Sequence, residues 1–158
     1  MQYAGLIKND FSAAPGVSVT FYTQGCPHHC IGCHNPQTWD FEGGMEFTTN
    51  TLNEILEALN ANGVNRSLAI QGGEPLCPEN QFLTYMVIKA VKDNYPDTRI
   101  YVWTGYTIDE LNNFSNPKVK EILSMIYCLI DGPYIQEQRD ITLPMRGSRN
   151  QNIIYFDK

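Results

Sequence analysis

The sequence predicts an α/β protein built as a partial, open (β/α) barrel. Three observations carry this expectation. Short β-branched runs alternate with segments of helical period, the pattern of parallel β-α units. Polar, glycine-containing motifs recur where strands end, which is where parallel folds bind their ligands. The chain has 158 residues, whereas a complete eight-stranded barrel takes about 250. Only an incomplete barrel fits, expected as a single domain over residues 1–158.

The elements follow in order. Residues 17–23 (VSVTFYT) are β-branched and aromatic and read as a strand running into a cysteine-rich loop. Residues 25–44 are turn-rich and carry no helical period. Residues 51–62 place Leu52, Ile55, Leu56 and Leu59 on one helical face, with Gly63 positioned to end the helix. A short strand over 67–71 leads to Gly72-Gly73-Glu74-Pro75. Residues 79–94 form a second helix, with Phe82, Leu83, Met86, Ala90 and Val91 on one side. A strand over 99–104 ends at Gly105-Tyr106, and two short helices are expected over 108–114 and 117–124. Residues 125–130 read as a buried strand ending at Asp131-Gly132, and 152–156 as the last strand. The cysteine loop, Gly72-Gly73-Glu74, Gly105-Tyr106 and Asp131-Gly132 are therefore expected to face one site.

Composition narrows the partners. The net charge is -6 and there is no block of lysine or arginine, which argues against nucleic acid or acidic lipid. The first ten residues lack the basic region and apolar stretch of a signal peptide. The apolar run over 125–130 is far too short to span a bilayer. The expectation is a soluble cytoplasmic protein with neither a nucleic-acid nor a membrane partner. Of 5 cysteines, three fall within eight positions, a clustering that favours metal or redox chemistry over a disulfide framework. Cys128, in an apolar run, reads as a buried small hydrophobe, and Cys77 as a loop thiol.

The clustered residues are Cys26, Cys30 and Cys33, at C-x3-C-x2-C spacing. Structural sites normally fill four ligand positions, whereas reactive sites keep one open. Positions i, i+4 and i+7 also lie on one helical face, but Gly25, Pro27, Gly32 and Pro36 punctuate the segment against a helix. Thiolates suit both iron–sulfur clusters and zinc. His28, His29 or His34 can complete a zinc site, so the cysteine run alone leaves both metals open. In Gly72-Gly73-Glu74-Pro75 the glycines let backbone approach a ligand, and Glu74 offers an acceptor for an amine. The same run also makes a tight strand-to-helix turn.

Taken together, the cysteine spacing and the Gly-Gly-Glu motif one β-α unit later resemble the radical S-adenosylmethionine (SAM) superfamily. The segment from Cys33 to Trp39 (CHNPQTW) is similar to enzymes that install glycyl radicals. Trp103-Thr104-Gly105-Tyr106, Asp131-Gly132-Pro133-Tyr134 and residues 146–151 (RGSRNQ) resemble the family of activases serving anaerobic ribonucleoside-triphosphate reductase. The resemblance implies a radical SAM barrel in which Cys26, Cys30 and Cys33 bind three irons of a [4Fe–4S] cluster. SAM would chelate the fourth iron, with Gly72, Gly73 and Glu74 at its amino group and the backbone of Gly32 and His34 lining its site. It also implies reductive cleavage of SAM and a glycyl radical on the reductase, with reduced flavodoxin or a similar donor and no catalytic side chain beyond these ligands. Gly32 departs from the pattern, since an aromatic residue often precedes the third cysteine and lies against the adenine. Residues 146–151 remain open between contacting SAM, contacting the partner and capping the sheet.

Overall fold

The structure, a computed structural model, describes residues 1–156. Strand β1 (Gln2–Asp10) pairs antiparallel with β2 (Ser18–Thr23), and the two-residue β3 (Met45–Glu46) adds antiparallel to β1. Helix α1 (Thr49–Leu59) leads to β4 (Ser67–Gly72), parallel to β2. Helix α2 (Gln81–Asn94) then leads to β5 (Ile100–Trp103), parallel to β4. Helices α3 (Ile108–Asn112) and α4 (Pro117–Met125) precede β6 (Cys128–Asp131), parallel to β5. The last strand, β7 (Asn152–Tyr155), returns antiparallel to β6. The order β3-β1-β2-β4-β5-β6-β7 leaves different strands at the two edges, so this mixed α/β sheet does not close on itself.

The parallel β-α units predicted from the sequence are therefore real for four strands, but three antiparallel strands flank them. Neither β1 nor β3 was foreseen. Residues 2–7 of β1 are only partly buried or exposed and show no clear alternation, while Lys8 and Asn9 are exposed. Pairing with β2, such as Leu6 opposite Phe21, defines the strand rather than its own pattern. The apolar run 125–130 was expected to be all strand. Instead Met125 closes α4, Ile126 is buried at the helix C-cap, and the strand begins at Cys128. A short apolar run does not distinguish a buried helical turn from a strand. Helix α1 begins at Thr49, ahead of the expected 51, because Thr48 and Thr51 form a reciprocal capping box. It stops at Leu59, short of Gly63, as Asn60 leaves helical backbone.

The helices gather on one face of the sheet. Phe21, Leu68, Ile70, Ile100, Val102 and Leu129 pack there with Ile55, Leu83, Val87, Ile88 and Ile122. The strand period of two sends Tyr101, Cys128 and Ile130 to the other face, where they meet Ala14. The four parallel strands end at Thr23, Gly72, Trp103 and Asp131, side by side along one end of the sheet. No helix among the described residues is long and apolar enough to cross a membrane.

Candidate functional site

Two loops meet where β2 and β4 end. The cysteine loop folds back on itself: the Gly25 N–H donates to the Thr38 carbonyl at 2.7 Å and the Cys26 N–H to that of Trp39 at 3.1 Å. The buried Gln24 amide donates to the carbonyls of Gln37 (3.2 Å) and Asp40 (2.7 Å), closing the base of the loop. The second loop lies directly against the first, with Gly73 N–H donating to Thr23 O at 2.9 Å and Glu74 N–H to Gly25 O at 2.8 Å. A β-carbon on residue 73 would fall on the Gly25 carbonyl and within 2.9 Å of the Thr38 carbonyl oxygen, so only glycine permits this approach. Asn80 stands at the N-cap of α2 but does not cap it. Its amide instead donates to the carbonyls of Gln24 (3.1 Å), Gly25 (3.1 Å) and Glu74 (2.9 Å), clamping both loops.

Glu74 is fully buried. One carboxylate oxygen, Oε1, accepts from the Gly105 N–H at 2.7 Å and lies 2.8 Å from His28 Nε2. The other, Oε2, accepts from the Leu76 N–H at 2.8 Å and the Thr104 hydroxyl at 2.7 Å. An ionised carboxylate only accepts, so Nε2 of His28 carries the proton toward it. About four lone-pair sites are available on a carboxylate, and the chain's own donors use them. Glu74 thereby ties the cysteine loop, through His28, to the ends of β4 and β5. The His28 ring also meets the Tyr106 ring edge-on at 4.5 Å.

Cys26, Cys30 and Cys33 are unpaired thiols. All three line a cavity of about 160 Å³ together with Gly72, Gly73 and Glu74. A second cavity of about 420 Å³ shares Cys33, Asn35, Trp103 and Tyr134 with the first and extends past His34, Met145 and Arg146. The two form one continuous cleft. A larger cavity, about 500 Å³, lies at the opposite ends of the strands near Arg66 and Arg99 and carries no thiol, so the chemistry belongs to the smaller cleft. Burial, and then the charge of Glu74, push the Cys26 thiol up to about 11, against the opposing pull of the His28 and His29 backbone N–H groups. Cys26 thus keeps its proton at neutral pH until a metal displaces it.

The three histidines are engaged by other partners. His28 faces Glu74, His29 stacks on Trp39 with ring centroids 4.4 Å apart, and His34 lies 5.5 Å from the Tyr134 ring. Among the described residues no three His, Cys, Asp or Glu side chains converge on a point suited to one metal ion. A cluster makes a different demand, since each cysteine takes its own iron and thiols spread along one wall suffice. Sulfur acceptors also suit the donors here. The Asn35 N–H donates to Cys33 Sγ at 3.4 Å, and the indole N–H of Trp39, on the cavity wall, is shielded and unpartnered among the described residues. The residues fit a cluster better than a zinc ion.

Comparison with known proteins agrees. Residues 13–154 match the 4Fe-4S single cluster domain family. The chain is 36% identical over 157 residues to the anaerobic ribonucleoside-triphosphate reductase-activating protein of Vibrio cholerae, covering 99% of both chains. It is 37% identical over 157 residues to that of Haemophilus influenzae, again 99% of both, and 34% identical over 152 residues to that of Escherichia coli, 96% of both. The chain belongs to the anaerobic ribonucleoside-triphosphate reductase-activating protein family.

Within this family member, the residues singled out from sequence occupy distinct places. Cys26, Cys30, Cys33, Gly72, Gly73 and Glu74 share the smaller cavity, and His34 lines only the larger. Gly32 lines neither. It adopts φ +80, and a β-carbon there would fall on the Gln136 side chain, 3.3 Å from the Tyr134 ring. Asp131 also stays outside, accepting from the Ile108 N–H at 2.8 Å and the Asn152 N–H at 3.2 Å to fix the start of α3 and β7. Residues 146–151 fold into a tight loop over the end of β6. There the Gln151 amide donates to Gly132 O at 3.0 Å and accepts from the Gly147 N–H at 2.9 Å. Gln24 and Asn80 went unnoticed in the sequence, and Thr104 was singled out only as part of Trp103-Thr104-Gly105-Tyr106, with no role of its own.

The remaining thiols are structural. Cys77 is buried beneath Glu74, donating to its carbonyl at 3.3 Å, and Cys128 is buried in the sheet. Burial, helped by the charge of Glu74, pushes Cys77 up to about 12, and burial pushes Cys128 up to about 11. At pH 8 their thiolate fractions are roughly one in ten thousand and one in a thousand. Brief iodoacetamide treatment of the folded, cluster-free protein at pH 8 should therefore label the half-buried Cys30 and Cys33 and spare Cys77 and Cys128. Peptide mass mapping that finds Cys77 or Cys128 alkylated as fast as Cys30 would contradict this placement.

Proposed function

We propose that the chain is a radical SAM activase that generates a glycyl radical on anaerobic ribonucleoside-triphosphate reductase. Cys26, Cys30 and Cys33 would hold three irons of a [4Fe–4S] cluster, leaving the fourth iron to the amino and carboxylate groups of SAM. One observation carries this reading. Three thiols, the Gly72-Gly73 backbone and Glu74 line one cavity whose wall has no fourth cysteine among the described residues. The unclosed sheet is read as the partial barrel of that superfamily, with residues 1–158 acting as one cytoplasmic unit.

A cluster held by Cys26, Cys30 and Cys33 would supply one-electron chemistry, with an electron from a donor such as reduced flavodoxin, for reductive cleavage of the sulfonium of SAM. In balance, SAM, one electron and a glycine Cα–H of the reductase yield methionine, 5′-deoxyadenosine and a glycyl radical. No side chain transfers a proton. The chain binds, orients and excludes water. The Gly72-Gly73 backbone, on the cavity wall, would hold the SAM amino group. Glu74, its acceptor sites already filled, keeps that backbone in register, and its negative charge favours the N–H groups of a metal-bound amine. Trp103 and Tyr134, in the larger cavity beside His34, offer aromatic faces for the adenine that Gly32 cannot supply.

Anaerobic reconstitution with iron and sulfide, followed by dithionite and SAM, tests the reading. It expects about four irons and four sulfides per chain, with methionine and 5′-deoxyadenosine formed in equal amounts. One tightly held zinc, no sulfide and no SAM cleavage would overturn it.

A further inference from the structure

Phe11, Ile31 and Ile141 are the most exposed large apolar side chains among the described residues, at 78%, 84% and 83%. The others, from Val64 to Tyr155, lie between 41% and 56%. The three are distant in sequence, yet the loops carrying them all wall the larger cavity of the cleft. Phe11 adjoins Ser12 and Ala13, Ile31 lies next to the Cys33-His34 segment, and Ile141 precedes Leu143 and Met145. Single exposed apolar residues need no explanation, but three on the loops that wall one cavity do.

Each loop holds its shape without the exposed side chain. Beside Phe11, the Asp10 carboxylate accepts from the Ser12 N–H at 2.9 Å and the Thr20 hydroxyl at 2.7 Å. Across Ile31, the Cys33 N–H donates to Cys30 O at 3.1 Å. Beside Ile141, the Thr142 N–H donates to Asp140 at 3.0 Å. The apolar groups are thus presented on fixed supports, which limits the entropy lost when a partner covers them. The charges beside them are balanced, Arg139, Arg146 and Arg149 standing against Asp10, Glu137 and Asp140, so the apolar groups are what distinguishes this rim.

We propose that Phe11, Ile31 and Ile141 form the docking rim on which the reductase seats, through an apolar surface of its own. This rests on the function proposed for the cleft, because a radical made there reaches another protein only if that protein covers the mouth. A small-molecule substrate needs no apolar rim, and a second copy of this chain would shut the cleft against its own substrate.

Titration of purified anaerobic ribonucleoside-triphosphate reductase against wild type, F11S/I141S and F11S/I31S/I141S decides the matter. The double variant should bind at least about tenfold more weakly and the triple variant about a hundredfold. Phe11 and Ile141 line neither cavity, so F11S/I141S should keep the wild-type melting temperature and reductase-independent SAM cleavage. Equal affinity of wild type and F11S/I141S overturns the proposal. So does failure of the wild type to bind the reductase, or sedimentation showing that these side chains hold a dimer of this chain. Reductase binding needs no cluster. A chain that binds neither iron nor sulfide therefore defeats the functional reading of the cleft, while the affinities still judge the rim.

Discussion

Replacing Cys30 with alanine is expected to abolish SAM cleavage while leaving the fold intact. Cys30 is half-buried on the cavity wall, outside both hydrophobic clusters, so its loss removes little packing. The change in stability should stay within about 0.5 kcal/mol. The change in metal binding should be large, because the three-thiol set has no substitute nearby. Cys77 is buried beneath Glu74 and Cys128 lies in the sheet. After anaerobic reconstitution Cys30→Ala should retain less than about a tenth of wild-type iron and sulfide, as expected when a first ligand is lost. Production of 5′-deoxyadenosine should fall below detection. Turnover near the wild-type level would remove Cys30 from the ligand set.

The second large effect falls on stability. Glu74→Ala leaves the His28 ring, the Thr104 hydroxyl and the N–H groups of Leu76 and Gly105 without their acceptor. Each buried donor so stranded costs about 1–3 kcal/mol, so the four together cost at least about 4 kcal/mol and lower the melting temperature by roughly 8–16 °C. Glu74→Gln is the sharper test because it preserves shape. Its amide has one acceptor oxygen and one donor group. If the NH₂ faces Gly105 it opposes a backbone N–H, and if it faces Leu76 it opposes another. His28 can change tautomer and Thr104 can rotate its hydroxyl, but neither backbone N–H can adapt. The expected loss is about 2 kcal/mol, or roughly 4–8 °C. Glu79→Gln, at an exposed position nearby, should leave melting unchanged. A melting temperature for Glu74→Gln equal to wild type would show that the four donors are not satisfied as described.

The parts of this protein legible in its sequence are those with a strong local pattern. The strand runs at β2, β4 and β5 and the helical face of α1 were readable because period and composition agree there. The buried face of α2 is rotated from the expected one, with Phe82 exposed and Val87 and Ile88 buried beside Leu83 and Val91. The convergence of the cysteine loop and Gly72-Gly73-Glu74 followed from where parallel strands end. Edge strands β1 and β3 were not readable, since their pairing partners define them and little of their surface is buried. The start of β6 was obscured because Met125 and Ile126 are as apolar as the strand that follows. Within the cleft, the ligand-type residues announced themselves, but the residues holding them did not. Glu74 looked like a free acceptor, and only the fold reveals that Thr104, Gly105, Leu76 and His28 already fill it. Asn80 fell inside the expected helix over 79–94 and proves to be a clamp just before it.

The central claim is that this cleft makes a radical and delivers it to a glycine of the reductase. The most direct measurement mixes the reduced, reconstituted protein with SAM and purified anaerobic ribonucleoside-triphosphate reductase, then records the electron paramagnetic resonance spectrum. The account predicts a doublet from a glycyl radical on the reductase, with one 5′-deoxyadenosine formed per radical and no doublet when SAM is omitted. A complete mixture that consumes SAM yet never develops the doublet would contradict it.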